Sequence, residues 1–370
     1  MHIAINCRSF LTKNYTGIGR YASQLVRSLA SLDHDNHYAL YVKKRLFDQK
    51  RKAPQITASN FSTVVDYFNQ GPQRLLKKID LYHSPGPDVI RMDHTKVVVT
   101  IHDLVYKAYP QGHTQDTLRL TDEQVHSFLP TVSKLICVSQ NTKNDVMKFF
   151  NVDEHKLTVI HHGVDQGVFY PVAEDDRRKA QAYLQGSGII QPYILYVGTI
   201  EPRKNLKNLF LAFKRLKDKN KWQGKLVVAG MMGWKTGQIL DELARFNLRD
   251  DVIFLGFVDD EKLRYLYSLA RVFVFPSFYE GFGYPLIEAF SCGAAVCCST
   301  TSSCPEIAAE AALFFDPENV EQMAQRIDEA VDDESLNNKL RQKAMMRAQI
   351  FTLEKVARET MRVYQEVYKS

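Results

Sequence analysis

Two glutamates, Glu280 and Glu288, stand eight positions apart on either side of a glycine-containing turn. The apolar run at 271–275 predicts a buried strand before them, and Pro285 suits the first turn of a helix after it. A strand, a glycine turn and a helix N-terminus together make an anion site, because free backbone N–H groups converge there on a positive dipole end. Two carboxylates beside such a site are understandable if they bind neutral hydroxyls of a ligand whose phosphates contact the backbone between them. This pattern predicts a nucleotide sugar.

Two adjacent cations, Arg203 and Lys204, follow a second predicted strand that ends at Gly198. They precede a helix start near Asn205, where positive charge is unfavourable because of the helix dipole. An anionic ligand therefore explains the pair better than a solvated surface, and we expect the two side chains to neutralise a diphosphate. The Gly-Phe pair that ends at Phe257, after a later strand, is a weaker candidate for contact with a nucleoside.

The first half of the chain places His102 and Asp103 at the end of an apolar run at 97–101. A histidine there can bind a sugar hydroxyl or shuttle a proton. The alternatives are a ring satisfied within its loop and an aspartate that caps a helix. Gly17 and Gly19 form a glycine-rich turn that lacks the full dinucleotide fingerprint, so a nicotinamide cofactor is not expected.

Apolar runs of four to eight residues alternate with amphipathic stretches, which predicts parallel sheets covered by helices on both faces. Two series of six runs predict two doubly wound α/β domains. A polar stretch at 172–188 separates the series and is interpreted as their junction. We therefore expect one domain at 1–170 and a second at 171–350, followed by a terminal helix at 351–370.

The composition is that of a soluble two-domain protein, with 370 residues, 45% hydrophobic and 24% charged. No apolar run approaches the roughly 20 residues that span a bilayer, and the N-terminus lacks the features of a signal peptide. The cysteines show no CxxC spacing, so we expect reduced, buried thiols in a cytoplasmic protein. They are Cys7, Cys137, Cys292, Cys297, Cys298 and Cys304.

The net charge of +6 lies entirely in residues 1–170, which hold 21 basic and 15 acidic residues. The excess concentrates in Lys43–Lys52 and Arg74–Lys78, where Leu and Phe are interleaved with the cations. Such segments can bind an anionic membrane, each surface cation contributing about 1 kcal/mol. A solvated loop is the alternative. Nucleic acid is not expected, because no recognition motif accompanies the charge.

The order of these motifs resembles the large family of retaining, GT-B-fold glycosyltransferases numbered 4, over nearly the whole chain. The motifs are Gly17–Gly19, His102–Asp103, Val138–Ser139, Gly163–Asp165, Glu201–Lys204, Gly256–Phe257, Pro276–Ser277 and Glu280–Glu288. The resemblance implies two Rossmann-like domains facing a cleft, with the acceptor bound mainly by the first and the nucleotide sugar by the second. It also implies that the terminal helix crosses back to the first domain and that no metal is required.

The resemblance further implies roles for individual residues. Arg203 and Lys204 are expected to hold the diphosphate, Glu280 the sugar hydroxyls and Glu288 the ribose, while His102 contacts the sugar near its reacting carbon. Together His102, Glu280, Lys204 and Arg203 are the expected catalytic residues. The other expected donor contacts are Gly17, Gly19, Thr199, Phe257, Phe282, Gly283, Tyr284, Pro285 and Leu286; the acceptor contacts are Gly17, Ile18, His102 and Asp103. Thr199 stands where many members of the family have arginine.

The expected activity is transfer of a hexose from a nucleoside diphosphate sugar with retention of configuration. Similarity to bacterial O-antigen mannosyltransferases makes GDP-mannose the first choice; rhamnosyl, glucosyl and N-acetylhexosaminyl donors are alternatives. The expected acceptor is a glycan or an undecaprenyl-type lipid-linked glycan, reached from the cytoplasm at the inner face of the membrane. A GT-B-fold nucleotide-sugar epimerase and a non-catalytic nucleotide-sugar-binding subunit remain as alternative functions.

Overall fold

The computed structural model describes residues 1–10, 17–44, 55–76, 78–112, 114–219, 222–233 and 236–370. The chain divides into two compact units. Unit 1 comprises Met1–Gly163 and Leu353–Ser370, and unit 2 comprises Val164–Thr352. Most of the basic segment Lys43–Lys52 and one residue of Arg74–Lys78 lie outside the described residues.

Unit 1 is built on a parallel sheet of seven strands in the order β3-β2-β1-β4-β5-β6-β7. The strands are β1 His2–Asn6, β2 His37–Lys43, β3 Phe61–Asp66, β4 Leu81–Ser84, β5 Lys96–Ile101, β6 Lys134–Cys137 and β7 Leu157–Val159. The helices before unit 2 are α1 Gly17–Leu32, α2 Pro72–Leu75, α3 Val105–Ala108, α4 Gln115–Phe128 and α5 Gln140–Phe150.

Unit 2 is built on a parallel sheet of six strands in the order β10-β9-β8-β11-β12-β13. The strands are β8 Tyr193–Val197, β9 Lys225–Ala229, β10 Val252–Gly256, β11 Val272–Phe275, β12 Val296–Ser299 and β13 Leu313–Phe315. The helices are α6 Glu174–Gly186, α7 Leu206–Asp218, α8 Thr236–Arg245, α9 Asp260–Leu269, α10 Tyr284–Ser291, α11 Cys304–Ala308, α12 Val320–Asp332 and α13 Glu334–Ala348. The predicted α/β class with two doubly wound parallel sheets is confirmed.

One strand was not predicted, β3 at the edge of the first sheet. Its residues Ser62 and Thr63 are exposed, and the strand pairs with β2 alone. The other strands were predicted from continuous apolar runs, which are typical of strands covered on both faces. An edge strand that faces solvent lacks such a run.

The polar stretch at 172–188 is largely helical, because α6 begins at Glu174. Ala180 and Leu184 are buried, while three acidic residues occupy its first turn, where they favour the positive end of the helix dipole. Its polar composition reflects an amphipathic helix with one solvated face.

The terminal helix α14, Leu353–Lys369, belongs to unit 1, as the predicted fold class requires. It packs against α1, and its Tyr364 hydroxyl lies 2.6 Å from Nδ1 of His83 on β4. The other ring nitrogen of His83 lies 3.0 Å from Oγ1 of Thr100 on β5. Burial lowers the pKa of His83 to about 3, so the ring is a neutral connector between the helix and the sheet.

Two further findings concern apolar helices and cysteines. In the described part of the chain no helix has both the length and the apolar character needed to cross a membrane. All six cysteines are buried free thiols, as predicted.

Both sheets reverse their strand order at the centre, where β1 lies beside β4 and β8 lies beside β11. In doubly wound sheets, ligands bind outside the carboxyl ends of the strands at such a reversal. The loops that follow these four strands are therefore the candidate ligand positions.

Candidate functional site

In unit 2 the loop after β8 is held by a close backbone contact with the loop after β9. Gly230 has φ 154°, and a Cβ atom there would lie 1.9 Å from the carbonyl oxygen of Gly198. Only glycine permits this approach. The loop that carries Arg203 and Lys204 therefore starts from a fixed position.

The loops after β8 and β11 meet in a cluster of four charged side chains. Lys204 Nζ lies 2.6 Å from Oε1 of Glu280, and Arg203 Nη1 lies 2.9 Å from Oε2 of the same carboxylate. Arg203 also pairs with Glu201 at 2.6 Å and donates to the carbonyl of Tyr279 at 2.6 Å. Two cations and two carboxylates make this ion cluster neutral overall, and Glu280 bridges both cations.

The two loops are joined by backbone and amide hydrogen bonds as well. Asn205 has φ 60°, and its Nδ2 donates to the carbonyls of Pro276 at 3.0 Å and Pro317 at 2.8 Å. The N–H of Phe278 donates to the carbonyl of Arg203 at 2.9 Å. The side chain of Asn205 thus connects the loop after β8 to the loops after β11 and β13. It does not cap α7.

The charges of the cluster are set by burial and by mutual attraction. Burial by itself raises the pKa of Glu280, but Arg203 and Lys204 outweigh it and lower that pKa to about 2. Burial lowers the pKa of Lys204, and neighbouring Arg203 acts in the same direction. Glu280 is therefore a carboxylate at neutral pH, a group that accepts hydrogen bonds from hydroxyls and does not donate a proton.

The second glutamate, Glu288, lies on α10 and is buried, with 3% of its surface exposed. Its Oε2 accepts a hydrogen bond from the Tyr267 hydroxyl at 3.1 Å. Gly283 precedes the helix with φ 99°, and Pro285 occupies the first turn, as predicted from the residue types. One eight-residue helix, α10, thus carries both the backbone N–H groups at its start and the carboxylate of Glu288.

The remaining predicted donor contacts differ in exposure. Phe282 and Leu286 are buried, whereas Tyr284 is half-buried. Thr199 is exposed, and Phe257 is 61% exposed. The side chains of Thr199 and Phe257 are therefore accessible from solvent, whereas those of Phe282 and Leu286 are not.

Two serines that sequence reasoning missed hold the glutamate loop. Ser302 Oγ accepts from the N–H of Glu280 at 2.9 Å. Ser303 Oγ lies 3.1 Å from the carbonyl of Glu280 and 2.9 Å from that of Phe282, to which it donates. These serines follow β12, so their position after the next strand of the sheet is the signal that points to them.

In unit 1, His102 follows β5 with both ring nitrogens engaged by the protein. Nε2 lies 2.7 Å from the carbonyl of Pro85, which only accepts, so Nε2 carries the proton. Nδ1 lies 3.3 Å from Nε2 of His162, and the two rings are stacked. Burial lowers the pKa of both histidines, although Pro85 and Asp103 oppose this for His102. The His102 ring is therefore neutral and fixed in orientation. Its contact with His162 could not be predicted, because the two residues lie 60 positions apart in the sequence.

Three of the predicted acceptor residues, Ile18, His102 and Asp103, line one cavity of about 160 Å³. We call it the β5 cavity; residues of β5, α3 and α4, together with Pro87 and Leu104, complete its mainly apolar wall. Gly17 precedes Ile18 at the start of α1, and Gly19 is buried in that helix. Sequence reasoning placed Gly17 and Gly19 among the donor contacts as well, and both belong to unit 1.

A second cavity, of about 210 Å³, lies at the carboxyl ends of β1 and β4. We call it the switch-point cavity. Its polar lining, which sequence reasoning missed, comprises Asn6, Arg8, Ser9, Ser84 and Asp88. Their signal was their position directly after the two strands at which the sheet order reverses.

Two family models match the chain, one in each half. Residues 15–167 match Glycosyltransferase Family 4, and residues 185–347 match Glycosyl transferases group 1. The chain belongs to this glycosyltransferase family. Among the described residues of this glycosyltransferase, no group of three His, Cys, Asp or Glu side chains is arranged to bind a metal ion.

Two relatives agree with this membership, and a solved structure shares the fold. O-antigen chain mannosyltransferase B of Escherichia coli is 29% identical over 377 residues, covering 94% of this chain and 96% of that protein. Serotype-specific mannosyltransferase WbdA of Escherichia coli is 29% identical over 59% of this chain, which matches 27% of WbdA. Sucrose-phosphate synthase from Thermosynechococcus elongatus has a TM-score of 0.79 at 22% identity and covers 100% of this chain and 99% of its own. The predicted GT-B fold and glycosyltransferase class are confirmed.

We predict that Glu280→Gln lowers the free energy of unfolding of unit 2 by about 3 kcal/mol at pH 7, because it leaves two buried cations without their shared carboxylate. The pKa of Glu280 is lowered to about 2, so the carboxylate stabilises the fold above its unfolded pKa and loses this effect as pH falls towards about 2. The difference between wild type and variant should therefore shrink between about pH 5 and pH 3. Urea unfolding followed by tryptophan fluorescence measures this difference in stability, since Trp222 is buried in the core of unit 2.

The matched control is Glu310→Gln, whose side chain is 89% exposed and pairs with Lys343 at 3.2 Å. It should change stability little at any pH, because exposed ion pairs contribute little. A Glu280→Gln difference that stays constant from pH 7 to pH 3 would contradict the assignment of the charge.

Proposed function

We propose that this glycosyltransferase transfers an α-mannosyl group from GDP-mannose, with retention, to a hydroxyl of a glycan or lipid-linked glycan. The observation that carries the proposal is the ion cluster of Arg203, Lys204, Glu280 and Glu201 at the strand reversal of unit 2. The choice of mannose is supported by the similarity to O-antigen chain mannosyltransferase B, which aligns with 94% of the chain.

In this proposal the diphosphate binds between the ion cluster and the N-terminus of α10. Lys204 is an ammonium with three donors, so it can retain Glu280 and still bind a phosphate oxygen. Glu280 accepts from sugar hydroxyls, and Glu288 accepts from the ribose. The neutral cluster supplies oriented donors, and the start of α10 adds the positive end of its dipole.

The chemical step breaks the bond between the anomeric carbon and the β-phosphate oxygen. A new bond forms from that carbon to the acceptor hydroxyl oxygen on the same face, and the hydroxyl proton passes to the departing phosphate. Lys204 and Arg203 stabilise the negative charge that develops on the diphosphate, a role that a metal ion has in other enzymes. Contact of this kind is worth ~3 kcal/mol, or about 100-fold in rate.

Attack from the same face needs no enzyme nucleophile, and this agrees with the contacts of Glu280 and Glu288. Both oxygens of Glu280 are held by cations, one by Lys204 and one by Arg203. A carboxylate with a pKa of about 2 is a weak nucleophile. Glu288 is buried and bound to Tyr267, so neither glutamate is suited to form a covalent intermediate.

The donor assignment is tested by incubating the protein with a panel of nucleotide sugars, with and without lipid-linked and free glycan acceptors. We expect nucleotide release and product formation with GDP-mannose when an acceptor is present. Isomerisation of the donor alone would show an epimerase, and binding without any turnover would show a non-catalytic subunit. Transfer from another donor would overturn the choice of mannose.

We predict that Lys204→Ala lowers kcat about 100-fold or more while the protein stays folded, because Arg203 still neutralises Glu280. The control is Lys207→Ala, which removes a lysine that pairs with Glu242 at 2.7 Å and is 56% exposed. Its kcat should match wild type. Full turnover by Lys204→Ala would refute the diphosphate role.

We also propose peripheral binding of unit 1 to an anionic membrane at the inner face of the cytoplasmic membrane. Lys43 ends β2 opposite Asp66 of β3, and the exposed aromatic residues Tyr67 and Phe68 follow at once. Arg74 is exposed in α2, a few residues further on. Cations beside exposed aromatic rings suit an anionic lipid surface, since the rings enter the interface while the cations attract the head groups.

We predict that Phe68→Ala weakens binding to liposomes with anionic lipid about 10-fold, because a buried Phe side chain contributes about 1.5–3 kcal/mol. Co-sedimentation at low and high salt measures this, and salt should weaken binding by the wild type. Tyr368→Ala, on α14 with 53% exposure, is the matched control and should bind like wild type. No retention of the wild type at low salt would refute membrane binding.

A further inference from the structure

The switch-point cavity presents an exposed pair of opposite charges. Arg8 Nη1 lies 3.4 Å from Oδ1 of Asp88, and the two side chains are 47% and 51% exposed. A guanidinium only donates hydrogen bonds and a carboxylate only accepts them. A sugar hydroxyl does both, so two neighbouring hydroxyls match this pair.

The frame around this pair is fixed by hydrogen bonds. Asn6 Nδ2 at the end of β1 donates to the carbonyl of Asp88 at 2.7 Å. Ser84 Oγ at the end of β4 lies 2.9 Å from the carbonyl of Gly86 and 3.1 Å from that of Asp88. The segment 84–88 is thereby attached to both strands at the sheet reversal. A ligand would meet a loop that is already in place, which limits the entropy lost on binding.

The switch-point cavity adjoins the β5 cavity, because Ile18 and Pro87 line both. A Cβ atom on Gly86 would lie 2.9 Å from Cγ2 of Ile18, so glycine leaves room for this shared wall. On the other side, His102 and Asp103 border a mainly apolar space. The two spaces therefore form adjacent compartments, one polar and one apolar with a carboxylate.

The charges of the described lining residues favour a neutral ligand. One cation, Arg8, stands against two carboxylates, Asp88 and Asp103. A lipid-linked diphosphate would meet a net negative lining, whereas a neutral sugar meets paired donors and acceptors and an apolar wall for its C–H face.

We propose that the acceptor is a neutral glycan whose two terminal sugar units occupy the β5 cavity and the switch-point cavity. The terminal unit, which carries the reacting hydroxyl, lies beside His102 and Asp103, and the preceding unit binds Arg8 and Asp88. This inference rests on the proposed function and makes the enzyme one that extends an existing glycan. A monosaccharide on a lipid diphosphate is the acceptor class that it excludes.

The test compares matched mono- and disaccharide methyl glycosides of mannose, glucose, galactose and N-acetylglucosamine with a farnesyl diphosphate-linked monosaccharide. For the accepted sugar we expect kcat/KM at least about 10-fold higher for the disaccharide than for the monosaccharide. Asp88→Asn should lower the disaccharide value about 10-fold more than the monosaccharide value. The control Asp93→Asn, an exposed aspartate between β4 and β5, should lower neither.

The inference is overturned if mono- and disaccharides have equal kcat/KM or if the diphosphate-linked monosaccharide is preferred. It is also overturned if Asp88→Asn lowers kcat/KM equally with all acceptors. Arg8→Gln replaces Asp88→Asn if that variant does not fold. Nucleotide release without transfer to any glycoside overturns the acceptor assignment but leaves the donor assignment intact. No nucleotide release from any donor overturns the proposed function itself.

Discussion

The reversal of strand order at the centre of each parallel sheet is the constraint on which the candidate sites depend. In unit 2 it brings the loop after β8 beside the loop after β11, although they are more than 70 residues apart. The loops carry opposite charges, and burial makes their pairing obligatory: Glu280 is 6% exposed and Lys204 is 8% exposed. An isolated charge at that depth would be costly, so the cations and carboxylate hold one another in place.

The same constraint acts in unit 1, where the loops after β1 and β4 enclose the switch-point cavity. Here the charges are half-exposed, so they are available to a ligand. The end of the chain secures this region, because Tyr364 on α14 reaches His83, which in turn reaches Thr100 two residues before His102. Helix α14 thus supports strands β4 and β5, which carry residues of both cavities.

Much of the fold could be predicted because its evidence is local. Strands covered on both faces must be continuous apolar runs, and Gly283 and Pro285 can be recognised at a helix start from their backbone preferences. The edge strand β3 and the helix α6 escaped this reasoning, since each has a solvated face that makes its sequence polar. The pairing of Glu280 with Arg203 and Lys204 also escaped it, because it depends on which strands are neighbours.

By itself, the sequence determined the α/β class, the two series of strands and the residue types that can bind a diphosphate and sugar hydroxyls. Only the tertiary structure decided how those residues are used. It joined Glu280 to both cations, bound both ring nitrogens of His102 and placed Arg8 and Asp88 beside the β5 cavity. The physical reason is that periodicity and backbone preference are properties of short segments, whereas hydrogen bonds and ion pairs between loops depend on strand order.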